Sequence, residues 1–121
     1  MLHRIAVPMS IAWRQYGEFL AFGARSREWP AARRKHLLQQ PACQACGRTR
    51  WVSVHHIEPF HVRPSRELDP ANLLTLCESG PGKLNCHLVI GHRGNWTSVN
   101  PHAVRDAAYV LRMLCGESDH R

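Results

Sequence analysis

Of 121 residues nine are histidine and five are cysteine, and the spacing of several is that of chemistry rather than of packing. Cys43-Gln44-Ala45-Cys46 has the two-residue gap with which a tight turn presents two thiolates to one ion. Cys77 and Cys86 make a looser second pair, eight residues apart, with Gly80 and Gly82 between them to let the chain fold back. Four thiolates in a tetrahedron make a zinc site, so Cys43, Cys46, Cys77 and Cys86 are the natural ligand set. The competing reading is a scatter of separate buried thiols. Cys115 is left over and is expected to be buried in the last helix. His55 and His56 are neighbours at the end of a strand, where successive side chains point to opposite faces. They cannot serve one ion as equal partners, which suggests that one ring holds a metal and the other takes a proton. His87 follows Cys86 at the start of a helix, a position from which it could supply a second metal ligand. For His3, His36, His102 and His120 a surface or hydrogen-bonded role is the better reading.

The elements that must position these residues are short. Residues 1–25 lack punctuation apart from Pro8 and are read as an arm or a short helix around Trp13 to Phe22. From Ser26 a helix is predicted, with Pro30 in its first turn, Trp29, Ala32, Leu37 and Gln40 inward, Arg33, Arg34 and Lys35 outward, and Pro41 as its stop. Cys43 to Gly47 reads as a knuckle. Trp51-Val52-Ser53-Val54 reads as a strand rich in aromatic and β-branched residues that runs into His55-His56-Ile57. Pro59, Pro64 and Pro70 make residues 58–70 a long loop, which in a small domain usually carries function. Asn72 to Cys77 is a second apolar run, and Cys86-His87-Leu88-Val89-Ile90 begins a helix limited by Gly91 and Gly94. A final helix over residues 103–114 is predicted to place Val104, Ala107, Ala108, Leu111 and Leu114 on one core-facing side.

Length allows one domain with a modest core, and the short apolar runs call for something besides burial to hold it together. We delimit it as residues 26–115, with residues 116–121 as a C-terminal tail. Sixteen Lys and Arg against nine Asp and Glu give a formal charge of +7, and only Lys35 and Lys83 are lysines. Guanidinium forks suit phosphate oxygens, which favours a polyanionic partner, with a basic surface kept for solubility as the equal alternative. No stretch has the apolar length of a membrane span, a secretory signal is not evident, and reduced cysteines fit a cytoplasmic location.

Taken in order, these pieces resemble the HNH endonucleases. The fragments are Cys43-Gln-Ala-Cys46, Val54-His55-His56-Ile57-Glu58-Pro59, Asn72-Leu73, Leu76-Cys77 and Cys86-His87, and Gly91-His92-Arg93-Gly94-Asn95-Trp96 is similar to one bacterial and phage-associated branch. The resemblance implies a small α+β protein with a ββα-metal (His-Me finger) core, a structural zinc site and flanking helices. It implies His55 and His87 as ligands of a catalytic divalent ion, magnesium or another such as manganese, with His56 as general base and Asn72 orienting the catalytic loop. The activity implied is hydrolysis of phosphodiester bonds in DNA, duplex DNA being the expected partner. The rival reading is a zinc-ribbon module that grips nucleic acid without cutting it, and only the nuclease needs His55, His56, Asn72 and His87.

Two departures matter. Relatives usually close the second cysteine pair over two residues, whereas here eight intervene. Colicin-type members place a further histidine four residues after the first helical one, where this chain has Gly91 and puts His92 one residue on. On a regular helix His87 and His92 diverge by about 140°, so His92 reaches the ion only if the helix ends near Gly91, and is otherwise a surface or structural residue. Arg33, Arg34 and Lys35 on the first helix, Arg63 and Arg66 in the long loop, and Arg93 are the candidate nucleic-acid contacts, each with a solvated face as its ordinary alternative. Trp96 either stacks on a base or is buried beneath the helix.

Overall fold

The computed structural model describes residues 25–78 and 84–116. The expected helix around Trp13 to Phe22, the return turn at Gly80–Gly82 and the tail beyond Gly116 lie outside the described residues.

Helix α1 (Trp29–Gln39) begins where Pro30 can occupy the first turn, whose N–H groups have no intrahelical partner to lose. It ends ahead of Pro41, which cannot continue it. Gln40 then docks the helix on the sheet. Its carbonyl accepts from Thr75 Oγ1 at 2.6 Å, and its Oε1 accepts from the Thr75 backbone N–H at 2.7 Å. Arg33, Arg34 and Lys35 are exposed as expected, while Trp29, Ala32 and Leu37 are half-buried. The buried residue is instead His36, whose Nε2 lies 3.1 Å from Gln40 Oε1.

Strands β1 (Val52–His56) and β2 (Leu73–Cys77) form an antiparallel pair in which Val54 faces Thr75, His55 faces Leu74 and His56 faces Leu73. Every residue of β2 is buried, because helix α1 and the long loop cover one face and the last helix and the cysteine knuckles cover the other. That double cover explains an apolar run without alternation. Trp51, expected inside the first strand, precedes it: its φ of 59° is left-handed, and its side chain is exposed. A residue with that φ cannot continue an extended ladder. The loop between the strands is not wholly irregular, since Pro64–Arg66 and Pro70–Asn72 form single 3₁₀ turns.

After the second cysteine pair, His87–Gly91 forms one π-helical turn, and helix α2 (Ala103–Leu114) closes the molecule. The core gathers Ala45, Leu74, Leu76, Ile90, Ala103 and Ala107 around Cys43, Cys77 and Cys86. Two expectations for α2 need correction. Its inner face is Ala103 and Ala107 with Val110 half-buried, whereas Val104, Ala108 and Leu114 face outward. Alanines let the helix lie close against the knuckles, and that approach sets its rotation by backbone proximity rather than by its largest side chains. Cys115, expected to be buried, caps the exposed end of the helix.

Removing bulk from Leu76, which has no exposed surface, should therefore cost about 2–5 kcal/mol as Leu76→Ala. Leu114→Ala on the outward side of α2 should change stability by less than about 0.5 kcal/mol. Urea unfolding of the two variants checks the contrast, and equal losses would contradict the placement of α2.

Candidate functional site

Two clusters of metal-ligating side chains stand out among the described residues. The first is Cys43, Cys46, Cys77 and Cys86, whose sulfurs all lie within 4.8 Å of one another. Tetrahedral zinc with Zn–S bonds of about 2.3 Å requires sulfurs about 3.8 Å apart, and Cys46 Sγ lies 3.7 Å from Cys77 Sγ. The knuckle is built by the backbone. Gly47 adopts a left-handed φ of 81°, its N–H donates to the Cys43 carbonyl, and the N–H groups of Ala45 and Cys46 point at Cys43 Sγ from 3.4 Å. In the second half the Cys86 N–H donates to Cys77 Sγ at 3.4 Å, and Arg48 ties the halves together by donating to the Leu84 carbonyl. The Cys43 thiol is held down to about 4, chiefly because the Cys86 thiol and backbone N–H groups donate to its sulfur. Cys86, which gives that hydrogen bond and is buried, is raised in compensation. Sulfurs this close cannot all ionise without a cation among them, and a zinc ion resolves that conflict.

The second cluster is His55, His87 and His92, whose ligand nitrogens also lie within 4.8 Å of one another. Their ring centroids are 4.9, 4.9 and 5.0 Å apart. The π-helical turn is what brings His92 in. Residues five apart diverge on an α-helix, but in an i→i+5 register they come nearly into line, and such turns recur at functional sites. Gly91 is part of the same device. A Cβ at position 91 would fall 3.0 to 3.2 Å from three atoms of the His55 ring. A side chain there would press on the His55 ring and require it to shift by a few tenths of an ångström, so a histidine four residues after His87 would disturb the place His55 now holds.

The nitrogens are oriented by neighbours that the sequence did not advertise. Nδ1 of His92 donates to the Ser98 carbonyl at 2.9 Å, and Nδ1 of His87 lies 3.3 Å from Glu78 Oε2. Both bonds place the ring's lone pair on Nε2, the usual arrangement of a metal-binding histidine with an outer partner. His55 is 3% exposed, and its Nε2 is one of two buried side-chain nitrogens or oxygens without a hydrogen-bond partner among the described residues. Burial, and then the nearby His87 and His92, drive its pKa down to about 2. A neutral, buried imidazole with an unsatisfied nitrogen facing two others is a metal ligand's environment. Three imidazoles suit a first-row transition ion better than magnesium, which prefers oxygen ligands.

His56 points the other way from His55, as strand geometry requires, and its surroundings differ from expectation. A general base is expected to face water. Instead its Nε2 donates to the Glu67 carbonyl at 2.9 Å, and the ring packs on Trp29 at 4.6 Å. Asn72 is wholly buried: its Oδ1 accepts from the Glu58 N–H at 2.7 Å, and its Nδ2 donates to the Glu58 and Arg66 carbonyls at 3.0 Å. It staples both ends of the loop that carries the His56 partner. Asn100, which sequence reasoning passed over, does the same below the π-helical turn, donating to the Ile90 carbonyl and Asp106 while accepting from the His102 N–H.

A cleft of about 680 Å³ joins the histidines. Its lining includes His55, His87, His92 and Trp96 together with His56, Trp29, Arg25, Arg33, Phe60 and His61. Trp96 is neither deeply buried nor remote, packing edge-on against the His87 ring at 5.1 Å and tilted against the His92 ring at 5.0 Å. Of the six expected nucleic-acid contacts only Arg33 lines the cleft. Arg66 is bound by Glu58 at 2.7 Å and Asp69 at 3.0 Å, Arg63 approaches Glu58 at 3.7 Å, and Arg93 donates to Asn100. Lys35 borders a separate groove behind α1, and Arg34 borders neither.

Three expected outcomes test this geometry. Purified protein should carry one zinc per chain by metal analysis, and Cys43→Ser should unfold it, because structural zinc contributes roughly 10 kcal/mol or more. Gly91→Ala should keep that zinc and lose at least about tenfold in affinity for a second divalent ion, measured by titration calorimetry. Acid should destabilise the zinc-loaded protein before zinc leaves. In the unfolded chain His55 takes a proton near pH 6.5, whereas in the fold it resists until about 2, so stability is full above 6.5 and falls as pH drops toward 2. His36 and His87, lowered mainly by burial, act in the same direction. The urea midpoint should be lower at pH 5 than at pH 7, and an unchanged midpoint would contradict the buried neutral ring.

Comparison with known proteins agrees with this arrangement. The family model described as HNH endonuclease matches residues 43–93. No curated protein and no solved structure matches the chain. No helix among the described residues is long and apolar enough to cross a membrane. The matched span holds all four cysteines, His55, His56, Asn72, His87 and His92, so the part of the chain that is similar to the HNH endonuclease family is the part that carries both clusters.

Proposed function

We propose that the protein is a divalent-metal-dependent endonuclease that hydrolyses phosphodiester bonds in DNA, with a ββα-metal core formed by β1, β2 and the turn His87–Gly91. The observation that carries the reading is the buried, unpartnered Nε2 of His55 facing His87 and His92, one residue away from a second histidine on the opposite face of the strand. His55, His87 and His92 would hold the ion, and zinc at the four cysteines would hold the frame. The bound ion supplies charge stabilisation on the phosphate and on the departing 3′ oxygen.

The remaining work falls to the chain's own side chains. The bond from His56 Nε2 to the Glu67 carbonyl selects the tautomer with its lone pair on Nδ1, and that nitrogen takes the proton of the attacking water. Asn72 acts through others. By holding the Arg66 carbonyl it places the adjoining Glu67 carbonyl, and so the plane of the base. Trp29 packs on the same ring and limits its rotation. The partner is duplex DNA, drawn to a chain of formal charge +7.

Plasmid cleavage by zinc-loaded protein tests the reading, with manganese expected to saturate at lower concentration than magnesium. His56→Ala should lower the rate by about 10² to 10⁴ with zinc content and DNA affinity unchanged. His55→Ala and His87→Ala should be partly rescued by raising the divalent ion, and His56→Ala should not. Wild-type protein that binds DNA but fails to nick it with any of several divalent ions would replace the nuclease with a non-catalytic zinc-ribbon binder.

A further inference from the structure

The matched segment 43–93 builds only part of the cleft, and Arg25, Trp29 and Arg33, which also line it, come from ahead of that segment. Trp29 and Arg33 are one helical turn apart and so share the face of α1 that looks into the cleft. Trp29 spends its ring on His56, at 4.6 Å. Arg25 lies over the Phe60 ring, its guanidinium carbon 4.8 Å from the centroid, which holds that cation at the rim. Arg33 is exposed and makes no ion pair among the described residues, while Arg63, Arg66 and Arg105 are all neutralised by carboxylates. No carboxylate among the described residues lines the cleft. An exposed, uncompensated guanidinium one turn from the residue that packs on His56 is placed to receive an anion on the strand being cut.

We infer that α1 supplies a phosphate subsite, in which the Arg33 guanidinium binds a backbone phosphate flanking the one at His56. The inference rests on the proposed nuclease reading and deepens it: of the basic residues on this helix, one contacts the substrate strand and its neighbours do not. The ligand class is a nucleic-acid phosphodiester, recognised by charge and by the two-pronged fork rather than by base identity.

Binding, measured apart from cutting, tests the subsite. Zinc-loaded protein without added magnesium or manganese is titrated into a short fluorescent DNA duplex across a series of salt concentrations. Arg33→Gln should weaken binding about tenfold at low salt and reduce the slope of log affinity against log salt by about one, the signature of one lost phosphate contact. Arg33→Lys should keep the slope and recover part of the affinity, since it retains charge and loses the fork. Arg34→Gln, one residue on and outside the cleft, should match wild type. Circular dichroism and zinc content of each variant verify the fold. Equal losses for Arg33→Gln and Arg34→Gln would reduce α1 to a diffuse basic face and overturn the subsite, as would wild-type behaviour of Arg33→Gln. The nuclease reading fails separately, by wild-type protein that binds the duplex with the expected salt dependence yet never cuts it.

Discussion

Four sulfurs converging within 4.8 Å join the knuckle before β1, the end of β2 and the start of the π-helical turn, and the rest of the molecule hangs on that junction. Cys77 is followed by Glu78, which meets His87, and Cys86 is followed by His87 itself. The strand pairing that brings Val52 opposite Cys77 carries His55 three residues further along β1 and into the second cluster. A core of small and medium side chains would leave these pieces loosely placed, and a tetrahedral ion fixes their spacing instead.

The second constraint is the burial of His55. A neutral imidazole with an unsatisfied nitrogen is costly to keep in a core, and the structure surrounds it with two more imidazoles and with a glycine whose missing side chain makes room for the ring. The same packing decides the helical register. Position 91 leaves a side chain little room beside the His55 ring, and the third ring comes from position 92, at the end of the π-helical turn. The departure in spacing and the departure in helix type are therefore one adaptation.

The His56 side of the site is stiffened differently, through backbone carbonyls and a packed ring. Asn72 holds the ends of a proline-rich loop, the loop offers a carbonyl to His56, and Trp29 packs on the ring. Polar groups this deeply buried retain their cost unless fully bonded, and Asn72 meets that condition with all of its side-chain polar groups engaged. A loop with two short 3₁₀ turns can then hold a base as firmly as a strand would.

Ligand chemistry was legible in the linear chain because it depends on residue type and local spacing. The CxxC knuckle, the opposed faces of His55 and His56, the first helix after Pro30 and the final helix all follow from short-range geometry, and the structure places them accordingly. Long-range contacts decided the rest. Which arginine faces the cleft depends on how α1 lies against β1 and on which carboxylates reach Arg63 and Arg66 across the loop. The outward turn of Val104 and Leu114 follows from two alanines packing against the knuckles, so burial by residue size misjudged the face of α2 and the exposure of Cys115. Glu78, Ser98 and Asn100 gained their roles only when the fold brought them to His87, His92 and Ile90. Periodicity and motif spacing report what a segment does along its own axis. The rotation of one element against another, and hence the approach of His92 to His55 and His87 and the partners of the histidines, is set by packing between segments distant in sequence.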